Sequence, residues 1–362
     1  MLAAELAALG PDVEARVEDG LAIMGWPLSS IAARGSTFDS EWGNRAYEVE
    51  YWLLSRFGPT RRFAGRALYW RGGRRLLRAI ADYRADAVVS TYPGTSEVLG
   101  RLRARGRLPV PAVSAITDLA ALRFWAHPGL DVHLITHPES AEEVRRIAPG
   151  TDVVAVCGLN SKQFLVPRDR DEARRDLDLP ADAPVVVVSG GGWAVGDMEG
   201  AIETALAREG ATVVALCGRN EAVQQRLEAR FADEPRVRVM GFTDRMGDLL
   251  AAADALIHST AGLTVLEAIV RGCPVISYGW GRGHIRANNV AFSRHGLAEV
   301  ASTRPELAAA LERALARRAE PDLSFAELPS AASVVLARIG RDQVRDGGGG
   351  GERDGPGGDE RQ

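Results

Sequence analysis

The sequence predicts an α/β protein built from two doubly wound domains. Short apolar runs alternate with segments of helical period along most of the chain, the pattern of parallel sheets covered by helices on both faces. The 362 residues fill about two domains at roughly 150 residues each. Apolar residues make up 46% and charged residues 25%, a balance that can bury two cores and excludes a wholly disordered chain.

In the first half the runs at 13–18, 86–90, 111–116, 132–136 and 153–156 read as strands. In the second half those at 185–189, 212–217, 236–240, 254–258 and 274–278 do. Helical periods fill 97–105, 139–147, 197–208, 220–231, 262–271 and 304–318. The stretch 157–183, with Pro167 and Pro180 inside it and Pro184 directly after, carries many charges and no strand signal, and so marks the boundary. The expected organisation is a first domain at 1–165, a second at 166–328, a helix at 329–341, and a Gly-rich, disordered tail at 342–362. The chain opens with the helical LAAELAAL and the short run VEARVE, where a doubly wound domain normally opens with a strand and a glycine-rich turn. The first domain is therefore expected to lack its first strand, and a coding sequence that begins upstream is the favoured explanation.

Composition removes several classes. No apolar stretch reaches the 18 or so residues of a membrane-spanning helix, and no secretory leader opens the chain. A formal charge of −4 argues against a generally basic nucleic-acid binder. All but Lys162 of the 44 basic residues are arginine, a bias of GC-rich coding that weakens any argument from a single Arg. Cys157, Cys217 and Cys273 are far apart with no CxxC pair, which disfavours zinc or disulfides and fits a reducing cytoplasm.

Four motifs carry chemistry. VVVVSGGGWAVGD (185–197) runs a buried strand into Gly190, Gly191 and Gly192, where backbone amides can approach a phosphate. It reads equally as a tight strand–helix turn, and with no GK[ST] it is not a Walker loop. Gly218, Arg219 and Asn220 end the next strand, at the edge where open α/β sheets bind ligands; Asn220 also suits a helix cap. Gly241, Phe242 and Thr243 end a third. Ser259-Thr260-Ala261-Gly262 then opens a helix whose apolar run LTVLEAIV contains a lone acid, Glu267. A carboxylate there can hold vicinal hydroxyls, as acids do for ribose; the alternative is a solvated helix-face Glu.

The order GGG, CGRN, GFTD, STAGLTVLEAIVRGCPVI resembles the nucleotide-sugar half of GT-B glycosyltransferases, most closely the monogalactosyldiacylglycerol synthase and MurG group. The resemblance implies two Rossmann-like domains facing a cleft. It places Gly191, Gly192, Gly262, Leu263 and Thr264 near a donor diphosphate, Phe242 beside the uracil and Glu267 on the ribose. The loop GWGRGHIRANNV then offers His284, Asn288 and Asn289 to the donor sugar, but departs from both family patterns there, which leaves the sugar open. More loosely, STYPGTSEVL (90–99) and PAVSAITDLAALRFWAHPGLDVHLITHPESAEEV (111–144) resemble the galactolipid-synthase first half. Asp118 is then the candidate base near the acceptor and His127 a second candidate, with a structural loop histidine as its alternative. The family's N-terminal GxGH-like turn is absent from the sequence.

Between 55 and 107 thirteen arginines face three acids. Arg61, Arg62, Arg66, Arg74 and Arg75 interleave with Phe63, Tyr69 and Trp70, a composition suited to an anionic bilayer surface, to an ordinary solvated face or to nucleic acid. The resemblance favours the membrane and no nucleic acid. The expected protein is an inverting hexosyltransferase that uses a UDP-sugar and a lipid hydroxyl such as that of diacylglycerol. It needs no cofactor or metal, and it sits in the cytoplasm, peripheral on the inner face of the plasma membrane. A sugar-nucleotide 2-epimerase and a non-catalytic sugar-nucleotide- or lipid-binding protein are the alternatives.

Overall fold

A computed structural model describes the chain except Pro11, 26–57, Asn160, Thr260, Ala261, Trp280, Arg282, Arg318, Ala319 and 348–362. The first sheet holds four parallel strands in the order β1 (Val88–Ser90), β2 (Ala112–Ile116), β3 (Val132–Ile135) and β4 (Asp152–Ala155). The second holds six parallel strands in the spatial order β10-β9-β8-β5-β6-β7. They are β5 (Val185–Ser189), β6 (Thr212–Leu216), β7 (Val237–Met240), β8 (Ala255–His258), β9 (Val275–Tyr278) and β10 (Glu299–Ala301). Nine of these strands match the apolar runs. β10 was not anticipated: it is a three-residue edge strand with no apolar run of its own.

The described helices are α1 (Leu2–Ala7), α2 (Gly20–Met24), α3 (Gly58–Tyr83), α4 (Pro93–Arg103), α5 (Ala141–Ile147), α6 (Arg170–Asp176) and α7 (Met198–Leu206). They continue with α8 (Glu221–Arg230), α9 (Met246–Ala252), α10 (Leu263–Val270), α11 (His284–Arg294), α12 (Arg304–Leu315) and α13 (Ala331–Gly347). Local chemistry sets many of the starts. Asp19, Asp169, Asp197, Asn220 and Thr303 each accept a backbone N–H of the first turn, and Pro93 and Pro305 stand in the first turns of α4 and α12.

Two expectations need correction. VEARVE forms no strand: Arg16 pairs with Glu18 at 2.5 Å, and Val17 is exposed. With charges on alternate residues and no strand paired with it among the described residues, alternation alone does not make a ladder. At the other end, α13 runs on to Gly347, past the boundary at 342 set for the tail. Its Ala331 and Val335 pack with Val113, Leu134 and Val156, so this helix covers the first sheet beside Leu2 and Leu6 of α1.

The second domain is fastened by Arg174, which is buried. Its guanidinium donates to the carbonyls of Ala252, Pro180, Ala181 and Ala183 and to Asp254 Oδ2, at 2.7–3.0 Å. Asp254 also accepts from the Val185 amide at 2.8 Å, which ties β5 to β8. All three cysteines are buried free thiols.

Candidate active site between the domains

The donor-side loops meet at the C-terminal ends of β5, β6 and β7. Gly190 and Gly191 leave β5 in a tight turn, and the Val195 amide donates back to the Gly190 carbonyl at 2.8 Å. A Cβ on Gly190 would lie 2.5 Å from Ala194 backbone, so only glycine closes this turn. Gly218 lies against the same turn, with Arg219 N–H on the Gly192 carbonyl at 2.9 Å and Asn220 Nδ2 on the Trp193 carbonyl at 3.0 Å. Asn220 also caps α8 through Val223 N–H at 3.1 Å. The glycine triplet and the Gly-Arg-Asn turn are thus one backbone unit. Gly192 has nothing within 4 Å of where a Cβ would stand, so its face of the unit is open.

Arg219 stacks its guanidinium over Phe242, 4.7 Å from the ring centroid. The ring is 66% exposed, a flat surface at the end of β7. Gly241 holds close quarters with Gln224, and Thr243 Oγ1 accepts from Arg245 N–H at 3.1 Å, so Thr243 shapes the turn.

Gly262 stands before α10 with φ 122°, without a capping side chain; Thr260 and Ala261 lie outside the described residues. Leu263 and Thr264 are half-buried in the first turn. Glu267, one turn on, is half-buried and has no hydrogen-bond or ion-pair partner among the described residues. Burial pushes its carboxyl up to about 7. A half-buried carboxylate with no partner among the described residues, on an otherwise apolar helix, is placed to meet a ligand.

On the acceptor side Asp118 follows β2. Trp125 Nε1 donates to its Oδ2 at 3.3 Å. Burial raises its pKa, while the charge of His284 and the indole hydrogen bond pull it back. Asp118 belongs to the first domain and His284 to the start of α11 in the second, so the two face each other across the cleft. Trp125 was missed because a lone Trp in a loop carries no spacing signal. So was His137, at the end of β3: it is buried, and its ring lies edge-on to Phe292 of α11 with 5.7 Å between centroids.

The structure places other candidates elsewhere. His127 does not join Asp118: its N–H donates to His133 Nε2 at 3.1 Å, and its Nδ1 accepts from Gly129 N–H at 3.0 Å. His133 is level with Ser114 inside the sheet, short of the strand ends that line the cleft. His127 is a loop-fixing residue packed on Gly100 of α4. Asn288 and Asn289 are buried and committed inside the protein. Asn289 Oδ1 accepts from Ser277 Oγ at 2.8 Å, and Asn288 bonds to the first domain. Of the three residues offered to the donor sugar, His284 alone is exposed.

The basic segment is the long helix α3. Arg62, Phe63, Arg66, Trp70 and Arg74, spaced mostly by three and four residues, are exposed along one side, Phe63 by 73% and Trp70 by 75%. Arg61 and Tyr69 are half-buried: Arg61 feels Arg123 and Glu97, and Tyr69 OH accepts from Arg107 at 3.0 Å. Arg75 is a structural fastener, donating to the Met24 carbonyl at 2.8 Å. Among the described residues no helix is long and apolar enough to cross a membrane, and no three His, Cys, Asp or Glu side chains are grouped to hold a metal.

Two parallel-sheet domains that meet at their strand C-termini, with a glycine-rich donor edge on the second, define the GT-B architecture. The chain has this fold, as does MurG of Acinetobacter baumannii, which is 19% identical with 75% of this chain and 77% of that one covered, at a TM-score of 0.51. A putative UDP-N-acetylglucosamine 2-epimerase from Listeria monocytogenes shares it at a TM-score of 0.55, with 15% identity over 77% of this chain and 79% of that one. Residues 43–160 match the family model for monogalactosyldiacylglycerol (MGDG) synthase, and 194–317 that for glycosyl transferases group 1. The chain is similar to a processive diacylglycerol beta-glucosyltransferase of Bacillus licheniformis, 24% identical over 82% of this chain and 79% of that one. It also resembles monogalactosyldiacylglycerol synthase 1 of Arabidopsis thaliana, 28% identical over 67% of this chain and 48% of that one. The resemblance read from the motifs stands, and its more specific part falls in the first half.

Proposed function

We propose that this chain transfers a hexose from a UDP-sugar to the hydroxyl of a diacylglycerol-like lipid at a membrane surface, with inversion at the anomeric carbon. The observation that carries the reading is the pairing of two edges. In the half that resembles MGDG synthase Asp118 stands beside His284 of the second domain, and that domain carries the glycine turn and a Glu267 with no partner among the described residues.

In this scheme Glu267 accepts from the ribose hydroxyls, and Phe242 with Arg219 over it flanks the base. The amides of Gly191 and Gly192, with the start of α10, face the diphosphate. Asp118 takes the proton of the lipid hydroxyl as its oxygen bonds the anomeric carbon. The bond from that carbon to the diphosphate oxygen breaks, and its electron pair leaves on UDP. A carboxylate whose proton affinity is raised by burial is a stronger base than a solvated one. The amides and helix start meet the charge that develops on the leaving group, and no metal enters the scheme. The exposed face of α3 holds the enzyme at an anionic inner-membrane surface, which accounts for Phe63 and Trp70 standing in water.

The test incubates the full chain with UDP-glucose or UDP-galactose and diacylglycerol vesicles, with and without EDTA, and measures glycolipid and UDP. Glycolipid formed in both EDTA arms is expected. Asp118→Asn is expected to abolish transfer with UDP binding intact. UDP binding without transfer by the wild type would favour a binding protein, and conversion of the UDP-sugar with no lipid product would favour an epimerase.

A further inference from the structure

We propose that Asn288 is a positioning residue, a latch that fastens the acceptor-side loop to the donor domain and fixes where Asp118 stands. The proposal rests on reading Asp118 as the base. Asn288 Oδ1 accepts from two successive amides of the other domain, Leu119 N–H at 2.7 Å and Ala120 N–H at 3.1 Å, while its Nδ2 donates to the His284 carbonyl at 2.9 Å. The side chain is 0% exposed. One amide group thereby fills both lone pairs of its oxygen with the residues directly after Asp118.

The surroundings reinforce this. Leu119 is buried in the second domain's core, beside Phe292 and Val265, so the loop is anchored there by its side chain as well as its backbone. Leu119 and Ala120 have already left β2, whose last ladder residue is Ile116, and their amides have no acceptor within the first sheet. Asn288 lies one turn after His284 on α11, which puts both on one helix face. The helix that presents His284 to Asp118 therefore also holds the backbone beside Asp118, and Trp125 holds the carboxylate from the first domain. Opening the cleft breaks both amide bonds at once; closing it re-forms them and returns Asp118 to its place.

The experiment compares wild type, Asn288→Leu, Asn288→Ala and Asp118→Asn in the full chain. It measures transfer, UDP binding, thermal unfolding, the pH profile of kcat/KM and the interdomain distance in solution. Asn288→Leu matches the shape without the acceptor; Asn288→Ala leaves room for water and serves if the Leu variant fails to fold. The expected result is a kcat lowered about 100-fold, the scale of a misplaced catalytic group, with UDP binding unchanged and a wider cleft. The acid limb should also move to lower pH, because hydration of Asp118 outweighs the loss of His284, the titratable group that faces it. Unchanged kcat and cleft width would overturn the proposal. So would a raised KM for the UDP-sugar with kcat and acid limb unmoved, which returns Asn288 to the donor sugar. If Asp118→Asn keeps full activity, the base reading fails, and the latch then stands or falls on cleft width alone.

Discussion

Gly218 and Gly191 touch backbone to backbone: a Cβ on Gly218 would stand 2.6 Å from the Gly191 carbonyl oxygen, and its φ is +56°. Two strand-end turns, 27 residues apart, are thus held as one surface by the absence of a side chain.

Gly218→Ala combines a disfavoured φ with a clash against two carbonyls. It is expected to cost about 1–3 kcal/mol of stability and to weaken UDP binding, read by urea unfolding and titration calorimetry. Gly192→Ala has open space around it and should leave stability within about 0.5 kcal/mol. It should still weaken UDP binding, because a methyl there stands where a phosphate must approach. A Gly192→Ala protein with normal UDP affinity would remove this turn from the donor site.

Glu267 sits where function opposes stability. Its pKa of about 7 lies above the ordinary 4.5, so the native state binds more protons between those values and stability falls as pH rises through that window. The shift corresponds to at most about 3 kcal/mol, which solvent screening reduces to about 1–2 kcal/mol. Glu267→Gln should therefore raise Tm at pH 8 by a few degrees and lose UDP affinity. In the wild type, UDP binding should weaken as pH falls below 7, and that dependence should be absent in Glu267→Gln. A destabilised Glu267→Gln protein with normal UDP binding would contradict both.

Phe63→Ser with Trp70→Ser should weaken binding to vesicles at unchanged Tm, since both side chains are in water. Arg62, Arg66 and Arg74 replaced by Gln should weaken binding to anionic vesicles about 100-fold, at about 1 kcal/mol per arginine. Binding to zwitterionic vesicles should not change. Arg75→Gln should instead lower Tm, because it loses the Met24 carbonyl. A sedimentation assay separates these; intact binding in the aromatic variant would refute the membrane face.

His133 and His137 are buried neutral, with pKa values lowered to about 4 by desolvation. The unfolded chain takes up protons first as pH falls below 6.5, so their contribution is complete above that pH and is lost towards 4. Each contributes up to about 1.4 kcal/mol per pH unit inside the window. Urea unfolding of His137→Leu at pH 7, 6 and 5 should show a shallower loss than the wild type; an equal slope would mean His137 is not held neutral.

Most of the fold was legible in the sequence because buried parallel strands are written as local apolar runs; nine of the ten described strands lie within the runs read, to within a residue. β10 and the irregular VEARVE segment were not, since an edge strand depends on its neighbour and an alternating segment needs a partner. Glycines at strand ends and the isolated Glu267 were visible for the same local reason. The long amphipathic α3 was visible as composition only. Which of its arginines face water and which, like Arg75, hold the protein together follows from what packs against the helix.

The sequence alone determined two parallel α/β domains, the order of the donor-edge turns and the resemblance they carry, because each is set by residues close along the chain. Tertiary structure decided that His127 turns into the first domain, that Asp118 meets His284, and that Asn288 spends its amide on a loop 168 residues away. Those choices depend on which buried polar groups find partners once two domains close. No local pattern encodes a hydrogen bond whose donor and acceptor become neighbours only in the fold.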